Sequence, residues 1–153
     1  MITRGEGRDL TVFLAERAAE LRFFGGYAAM PGGTIAAEDF HAKPLTGDSS
    51  VDEANALQVC AHRELFEELG LLRHELPADR RERSALTAQR KALLDHEALL
   101  AKTKGDGKEN PPSPWADIVA GAQMPPPLRS LCRIETPAFA PVRYDTVFFH
   151  VPI

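Results

Sequence analysis

The sequence predicts a mixed α/β (α+β) domain, and three observations carry that expectation. Short apolar runs with strand character stand towards both ends of the chain. A long amphipathic stretch with helix start and stop residues lies between them, and a second helical stretch follows it. Strands on either side of a helix, with a helical insertion, make a mixed sheet with helices the expected architecture.

At 153 residues the chain is long enough for one hydrophobic core and short for two, so 1–153 reads as a single domain. Hydrophobic residues are 44% and charged residues 26%, which argues against a disordered or a membrane class. The net charge of -4 argues against nucleic acid as a partner, since phosphate neutralisation needs an excess of Lys and Arg. An acidic protein can still hold phosphates through metal ions. Cys60 and Cys132 are far apart with no partner spacing and read as reduced thiols. The first residues lack an apolar signal core and no run reaches membrane-spanning length, so a soluble cytoplasmic protein with no membrane partner is expected.

The elements follow in order. Leu10–Glu16 is short, apolar and partly β-branched, a strand. Gly25-Gly26 and Pro31-Gly32-Gly33 punctuate the next stretch, so Tyr27–Met30 reads as a strand entering a glycine turn. His41–Ser50 is polar and carries Pro44 and Gly47, a loop. Ser50-Val51-Asp52-Glu53 fits a capping box that starts a helix, and Gly70 sits where a left-handed stop is expected. Between them Ala54, Leu57, Ala61, Leu65 and Leu69 recur at spacings of three and four, predicting one buried stripe. A second helix is expected from Arg80 to Lys102, with Leu86, Leu93 and Leu100 at heptad spacing. Thr103–Pro114 is rich in Gly, Pro and charge and reads as a loop. Leu131–Glu135 and the strongly apolar Asp145–Ile153 complete the set as strands.

The chemistry concentrates on the first helix. Glu64, Glu67 and Glu68 stand at i, i+3 and i+4, so they project from one face. Three neighbouring carboxylates repel one another, and they sit in the last turns, where the helix dipole is negative. A cation at that face removes both penalties, and hard ions such as Mg2+ or Mn2+ take oxygen ligands and bridge carboxylates to phosphates. A solvated acidic face is the ordinary reading of such a triplet. Its neighbours argue otherwise: Arg63 can orient a carboxylate, and the upstream Pro-Gly-Gly turn exposes backbone that can approach a metal or phosphate. His62 lies a quarter turn or more away from Glu64 and Glu68 and reads as a helix-surface residue, and Trp115 as a packing residue.

The segment resembles the Nudix box, G-x5-E-x7-R-E-U-x-E-E-x-G-U, where U is a bulky aliphatic residue. Arg63, Glu64, Leu65, Glu67, Glu68, Gly70 and Leu71 match every defined position of its second half. Gly33 is followed six positions later by Asp39, an acid where the first glutamate stands. Arg63 lies 30 positions after Gly33 (63 − 33), where the standard box has 14, so an insertion of 16 residues (30 − 14) separates the halves. Counted without an insertion, the glutamate position falls on Asn55, and Asp39, Glu38 and Glu53 are the alternatives for an auxiliary acid.

Long insertions within the box are similar to the branch that includes peroxisomal coenzyme A diphosphatases and their bacterial relatives. Thr136-Pro137 and Arg143-Tyr144-Asp145-Thr146-Val147-Phe148-Phe149 resemble that branch's threonine-proline and R-F-D-T-x-F-F signature. Ala18, Arg22, Gly26, Pro31, Gly32 and Gly33 fit the spacing of its coenzyme A signature, while Val12-Phe13-Leu14 and Met30 depart from it.

The resemblance implies an α/β/α sandwich with a mixed sheet and a catalytic loop-helix-loop, carrying a loop insertion at 42–50 and a helical, proline-rich insertion at 78–123. It implies metal-dependent hydrolysis of a nucleoside diphosphate linked to another moiety, with Mg2+ or Mn2+ as cofactor and coenzyme A or acyl-coenzyme A as candidate substrates. Glu64, Glu67, Glu68 and the carbonyl of Gly33 would hold the metal, with Glu67 as ligand or water-activating base. Arg63 would tie the cluster in place, and Arg22, Gly32 and Arg143 would contact substrate. Domains of this branch continue past the strand that ends this chain with an acidic segment, a strand and a helix. The terminal apolar strand invites pairing with a second copy, as a homodimer. The interrupted box and short C-terminal side motivate a rival reading, a catalytically weak or inactive module that binds a nucleotide or a protein.

Overall fold

A computed structural model describes residues 1–20, 25–40, 53–72, 79–103, 111–121, 127–140 and 142–153. The capping box at 50–52, the loop 42–50, His41 and Arg22 lie outside the described residues. The chain forms two compact units, one of residues 1–32 and 127–153 and the other of residues 33–126.

The first unit is built on a four-stranded mixed sheet. Its strands are β1 (Ile2–Arg4), β2 (Thr11–Val12), β5 (Arg129–Glu135) and β6 (Asp145–Pro152), in the order β2-β1-β6-β5. β1 runs parallel to β6, with Ile2 opposite Val151, and the other two pairings are antiparallel. Ile2, Thr3, Leu128 and Val151 are its buried residues. A separate two-stranded ribbon pairs β3 (Ala15–Glu16) with β4 (Ala28–Ala29). Its turn depends on Gly26, whose φ of 77° lies in the left-handed region while its N–H donates to the Arg17 carbonyl at 3.0 Å.

The expected strand Leu10–Glu16 is therefore two strands. Its halves serve different partners, Thr11–Val12 pairing with β1 and Ala15–Glu16 with β4, and Phe13-Leu14 make the step between them. Tyr27–Met30 contracts to the two paired residues of β4, while the two C-terminal strands stand close to where the apolar runs place them. β5 and β6 form a hairpin closed by Thr136, whose N–H donates to the Tyr144 carbonyl at 2.8 Å and whose Oγ1 accepts from the Tyr144 N–H at 2.9 Å.

The second unit carries three helices, α1 (Glu53–Leu69), α2 (Arg80–Thr103) and α3 (Trp115–Gly121). Its core joins Val59 and Phe66 of α1, Leu72, Leu93 of α2, and Trp115, Ile118 and Val119 of α3, with Leu86 packed against it. The Phe66 and Trp115 rings lie 6.3 Å apart between centroids. α1 ends as its glycine dictates: Gly70 has φ 71° and donates its N–H to the Phe66 carbonyl at 2.8 Å. The buried stripe differs from the expected one. Of the expected residues Leu65 is buried, Ala54 is exposed and Leu57, Ala61 and Leu69 are half-buried, while Ala56, Val59, Cys60, Arg63, Phe66 and Glu67 are buried as well. His62 is buried too, not on the helix surface. α1 is covered on more than one side, and buried polar side chains hide its true inner face from a pattern based on apolar spacing. The helix α3 follows a proline-rich stretch, and the Trp115 N–H is accepted by Ser113 Oγ at 3.2 Å. Among the described residues no helix is long and apolar enough to cross a membrane.

Candidate metal centre

The site lies in the second unit, on the C-terminal half of α1. Its organising residue is Arg63, buried at 3% exposure and surrounded by acids. Arg63 Nε donates to Asp39 Oδ1 at 3.0 Å and Nη2 to Asp39 Oδ2 at 3.1 Å, a two-pronged grip on a fully buried carboxylate. Asp39 is itself set by a 3-10 turn over Ala37–Phe40, and its Oδ2 accepts the Ala36 N–H at 2.8 Å. Nη2 also donates to the Thr34 carbonyl at 2.9 Å and to Cys60 Sγ at 3.6 Å. Nη1 turns the other way, donating to Glu64 Oε1 at 3.0 Å and to both Glu67 oxygens at 3.1 Å. One guanidinium thus ties the turn after Gly33 to two acids of the helix.

Of the three candidate auxiliary acids, Asp39 is the one Arg63 holds. Glu38 accepts a hydrogen bond from Ser113 Oγ at 2.7 Å, and Glu53 stands exposed at the start of α1. The Glu64 carboxylate rests directly against Gly33, where the Cβ of any other residue would overlap it. A side chain at position 33 would have to displace the Glu64 carboxylate, so a glycine here lets the main chain and the acid lie against one another. Glu67 is buried, Glu64 is half-buried, and Glu68 is exposed one turn beyond Glu64. Gly32 and Arg143 belong to the first unit, and both are exposed.

The electrostatics follow from this crowding. Burial pushes the Glu67 carboxyl up to about 7, with the Arg63 charge and hydrogen bonds opposing the rise in part. Glu64 is raised for the same first reason, opposed by Arg63 and reinforced by Glu68. Burial would lower the Arg63 guanidinium, but the hydrogen bonds and charge of Asp39, then Glu67 and Glu64, more than reverse this and hold it charged. The Cys60 thiol is pushed up to about 12, first by burial and then by Asp39, so it stays protonated.

Two residues of α2 complete the picture, and apolar spacing alone does not single them out. Arg90 donates from Nε to the Glu67 carbonyl at 2.6 Å and from Nη2 to the Glu68 carbonyl at 2.9 Å, capping the end of α1. Glu97 Oε1 lies 4.0 Å from Arg63 Nη1. The available signal is register: Leu86, Arg90, Leu93, Glu97 and Leu100 alternate spacings of four and three and share a face.

The donors fit a hard divalent ion in kind: carboxylates one turn apart, and a main-chain segment held against one of them by a glycine. Among the described residues, no three acids or other metal-binding side chains are gathered into a ready cage. The reason is visible in the geometry, since Glu64 and Glu67 both turn to Arg63.

No protein-family model and no curated protein matches the sequence. Among solved structures, the chain is similar to a Nudix hydrolase from Alicyclobacillus acidocaldarius, at 25% identity and a TM-score of 0.60, over 99% of this chain and 67% of that one. That likeness is one of architecture: with its mixed sheet and helices, the chain has the Nudix hydrolase fold.

Proposed function

We propose that the chain is a metal-dependent diphosphatase that hydrolyses a nucleoside diphosphate linked to another moiety, with coenzyme A or an acyl-coenzyme A as the substrate class to test first. The observation that carries this reading is the Arg63 cluster, in which one buried cation binds Asp39, Glu64 and Glu67, and Glu64 lies against Gly33.

Glu64 and Glu68, one turn apart, would hold Mg2+ or Mn2+ together with the Gly33 carbonyl. The chemistry supplied at such a site is neutralisation of the diphosphate charge and acidification of a water. Glu67 would be a further ligand or the base that accepts a proton from the attacking water. Arg63 fixes the Glu64 and Glu67 carboxylates, and Asp39 in turn fixes Arg63 by occupying two of its donors. The coenzyme A branch is supported by the interrupted box and by the Thr136-Pro137 and Arg143–Phe149 segments.

The test is a panel of coenzyme A, ADP-ribose, NADH and diadenosine polyphosphates, assayed with and without Mg2+ or Mn2+. Metal-dependent release of a nucleoside monophosphate is expected. E67Q and E68Q should each lower kcat/KM by at least ~10²-fold, the scale of a lost general base or comparable catalytic group, with the fold intact by circular dichroism. Unchanged turnover in both variants would sink the assignment. A second reading, a nucleotide- or protein-binding module, is favoured by the pairing of Glu64 and Glu67 with Arg63 in place of a gathered acid cage. Tight binding to the panel without turnover would identify it.

A further inference from the structure

The four-stranded sheet of the first unit ends on one side at β5, and all seven residues of that strand are exposed. The apolar strand at the end of the sequence is not this edge, because β6 lies between β1 and β5. Leu131 and Ile134 of β5 are exposed apolar side chains, and Phe139 on the hairpin turn is 89% exposed. An open strand edge bordered by apolar side chains is a template for another strand.

The hydrogen bonds of the hairpin fix which backbone groups face that edge. Thr136 donates its N–H inward, to the Tyr144 carbonyl, and Glu135 is in register with Asp145. Inward groups of an antiparallel ladder belong to alternate residues, so Ile134 bonds to β6 while Arg133 and Glu135 aim N–H and C=O outward. A register shift between Ser130 and Cys132 breaks this phase, so the regular edge runs from Cys132 to Glu135.

An added antiparallel strand must set its own outward-facing residues opposite Arg133 and Glu135. β5 does so for itself when two copies meet about a two-fold axis at Ile134. Arg133 of each copy then faces the partner's Glu135, and the pair occurs twice. Centring the axis on Arg133 or on Glu135 keeps the ladder in phase but sets like charges opposite one another. Hydrogen-bond phase and charge therefore choose the same register. Arg133 keeps its own Asp145 as well, so each cation stands between two acids. The register also lays the hairpin tip that carries Phe139 along the half of the partner's β5 that carries Leu131.

We propose that β5 is a self-pairing edge, through which two copies of the chain join into one continuous sheet with Ile134 on the two-fold axis. The occupant is a second copy because the edge complements itself in charge and in hydrogen-bond phase. The exposed charge pairs set the register, and covering Leu131, Ile134 and Phe139 supplies the driving force. The metal-dependent reading is independent of this edge, since its helix belongs to the second unit.

Sedimentation velocity of the full chain over a concentration series should show a monomer–dimer equilibrium. Glu135→Arg should weaken the dimer about 10-fold by setting arginines opposite one another, and adding Arg133→Glu should restore most of the loss. These side chains are exposed, so circular dichroism should show the fold retained. Ile134→Cys in a Cys132→Ser background should give a disulfide-linked dimer on mild oxidation, because residues opposite at a non-hydrogen-bonded position have Cα atoms about 4.5 Å apart. Cys132 of the wild type, exposed but two residues from the axis, should not crosslink. A monomer at every concentration up to the solubility limit would overturn the proposal. A dimer indifferent to Glu135→Arg would overturn it too, by placing the contact on another surface. Crosslinking through Cys132 with none through Ile134→Cys would overturn the register and with it the charge argument.

Discussion

Arg63 grips Asp39 through Nε and Nη2, and Arg133 grips Asp145 through the same two nitrogens. The fork and the acid are the same; the surroundings are opposite. Side chains of the first pair are 4% and 0% exposed, those of the second 52% and 44%. In the first, every group around the guanidinium depends on it, because a buried carboxylate left without its cation is expensive. In the second, water stands ready to replace either partner, and the pair joins neighbouring strands of a hairpin that Thr136 already closes. An ion pair's contribution is set by what its loss would strand, and the two units of this chain show both extremes.

Arg63→Ala tests the buried extreme and should have the largest effect on stability. It strands Asp39 and leaves Glu67 with no guanidinium, so unfolding in urea should show a loss on the order of 3–5 kcal/mol. Arg63→Lys keeps the charge but cannot reproduce a fork that serves Asp39 on one edge and the glutamates on the other, so it should recover only a minor part. Full recovery by lysine would mean that charge alone holds the cluster. A loss as small as that of Arg133→Ala would erase the contrast between the two pairs.

Arg90→Ala falls between. Arg90 is half-buried and binds two main-chain carbonyls at the end of α1, so its removal strands dipoles and not charges. A charge-assisted cap of this kind is worth roughly 1–2 kcal/mol, and urea unfolding should report a loss of that size. Hydrogen exchange at the last turn of α1 should rise more than at its centre, which would locate the effect.

The parts of this design legible in the sequence are those written locally. α1 and its stop at Gly70 follow from residues within a few turns, and so do the strands β5 and β6. The link from Arg63 to Asp39 crosses 24 residues of sequence, and only motif spacing suggested it among three candidates; nothing in apolar periodicity could choose. Apolar spacing misplaces the inner face of α1 for a reason visible in its buried side chains. Arg63, Glu67 and His62 are buried, so the polar residues that a hydrophobic pattern assigns to solvent are the ones turned inward. Arg90 and Glu97 became visible only when α2 was docked, since a helix's own sequence does not say which polar residue of its stripe meets a neighbour. The division of Leu10–Glu16 is likewise a choice of partners, made by β1 and β4 and not by the segment itself.

Arg133→Ala should have the smallest effect. Arg143 is a candidate substrate contact and lies exposed, while Asp145, two residues on in the same signature, pairs with Arg133 across the hairpin. The hydrogen bond and charge of Arg133 hold the Asp145 carboxyl below the ordinary value of 3.8. A depressed carboxylate stabilises the fold above its unfolded pKa, and that contribution disappears as pH falls through its lower folded value. Between pH 5 and 8 both states are ionised, so the melting temperature of Arg133→Ala should differ from wild type by a small and pH-independent amount. The difference should shrink only in acid below pH 4, where the wild-type pair is itself lost. If the change in melting temperature matched that of Arg90→Ala, the hairpin would depend on its exposed ion pair as the helix depends on its cap. Solvent exposure would then no longer separate the two arginines. High salt offers an independent check, because screening should abolish what Arg133 contributes and leave the Arg63 cluster nearly untouched.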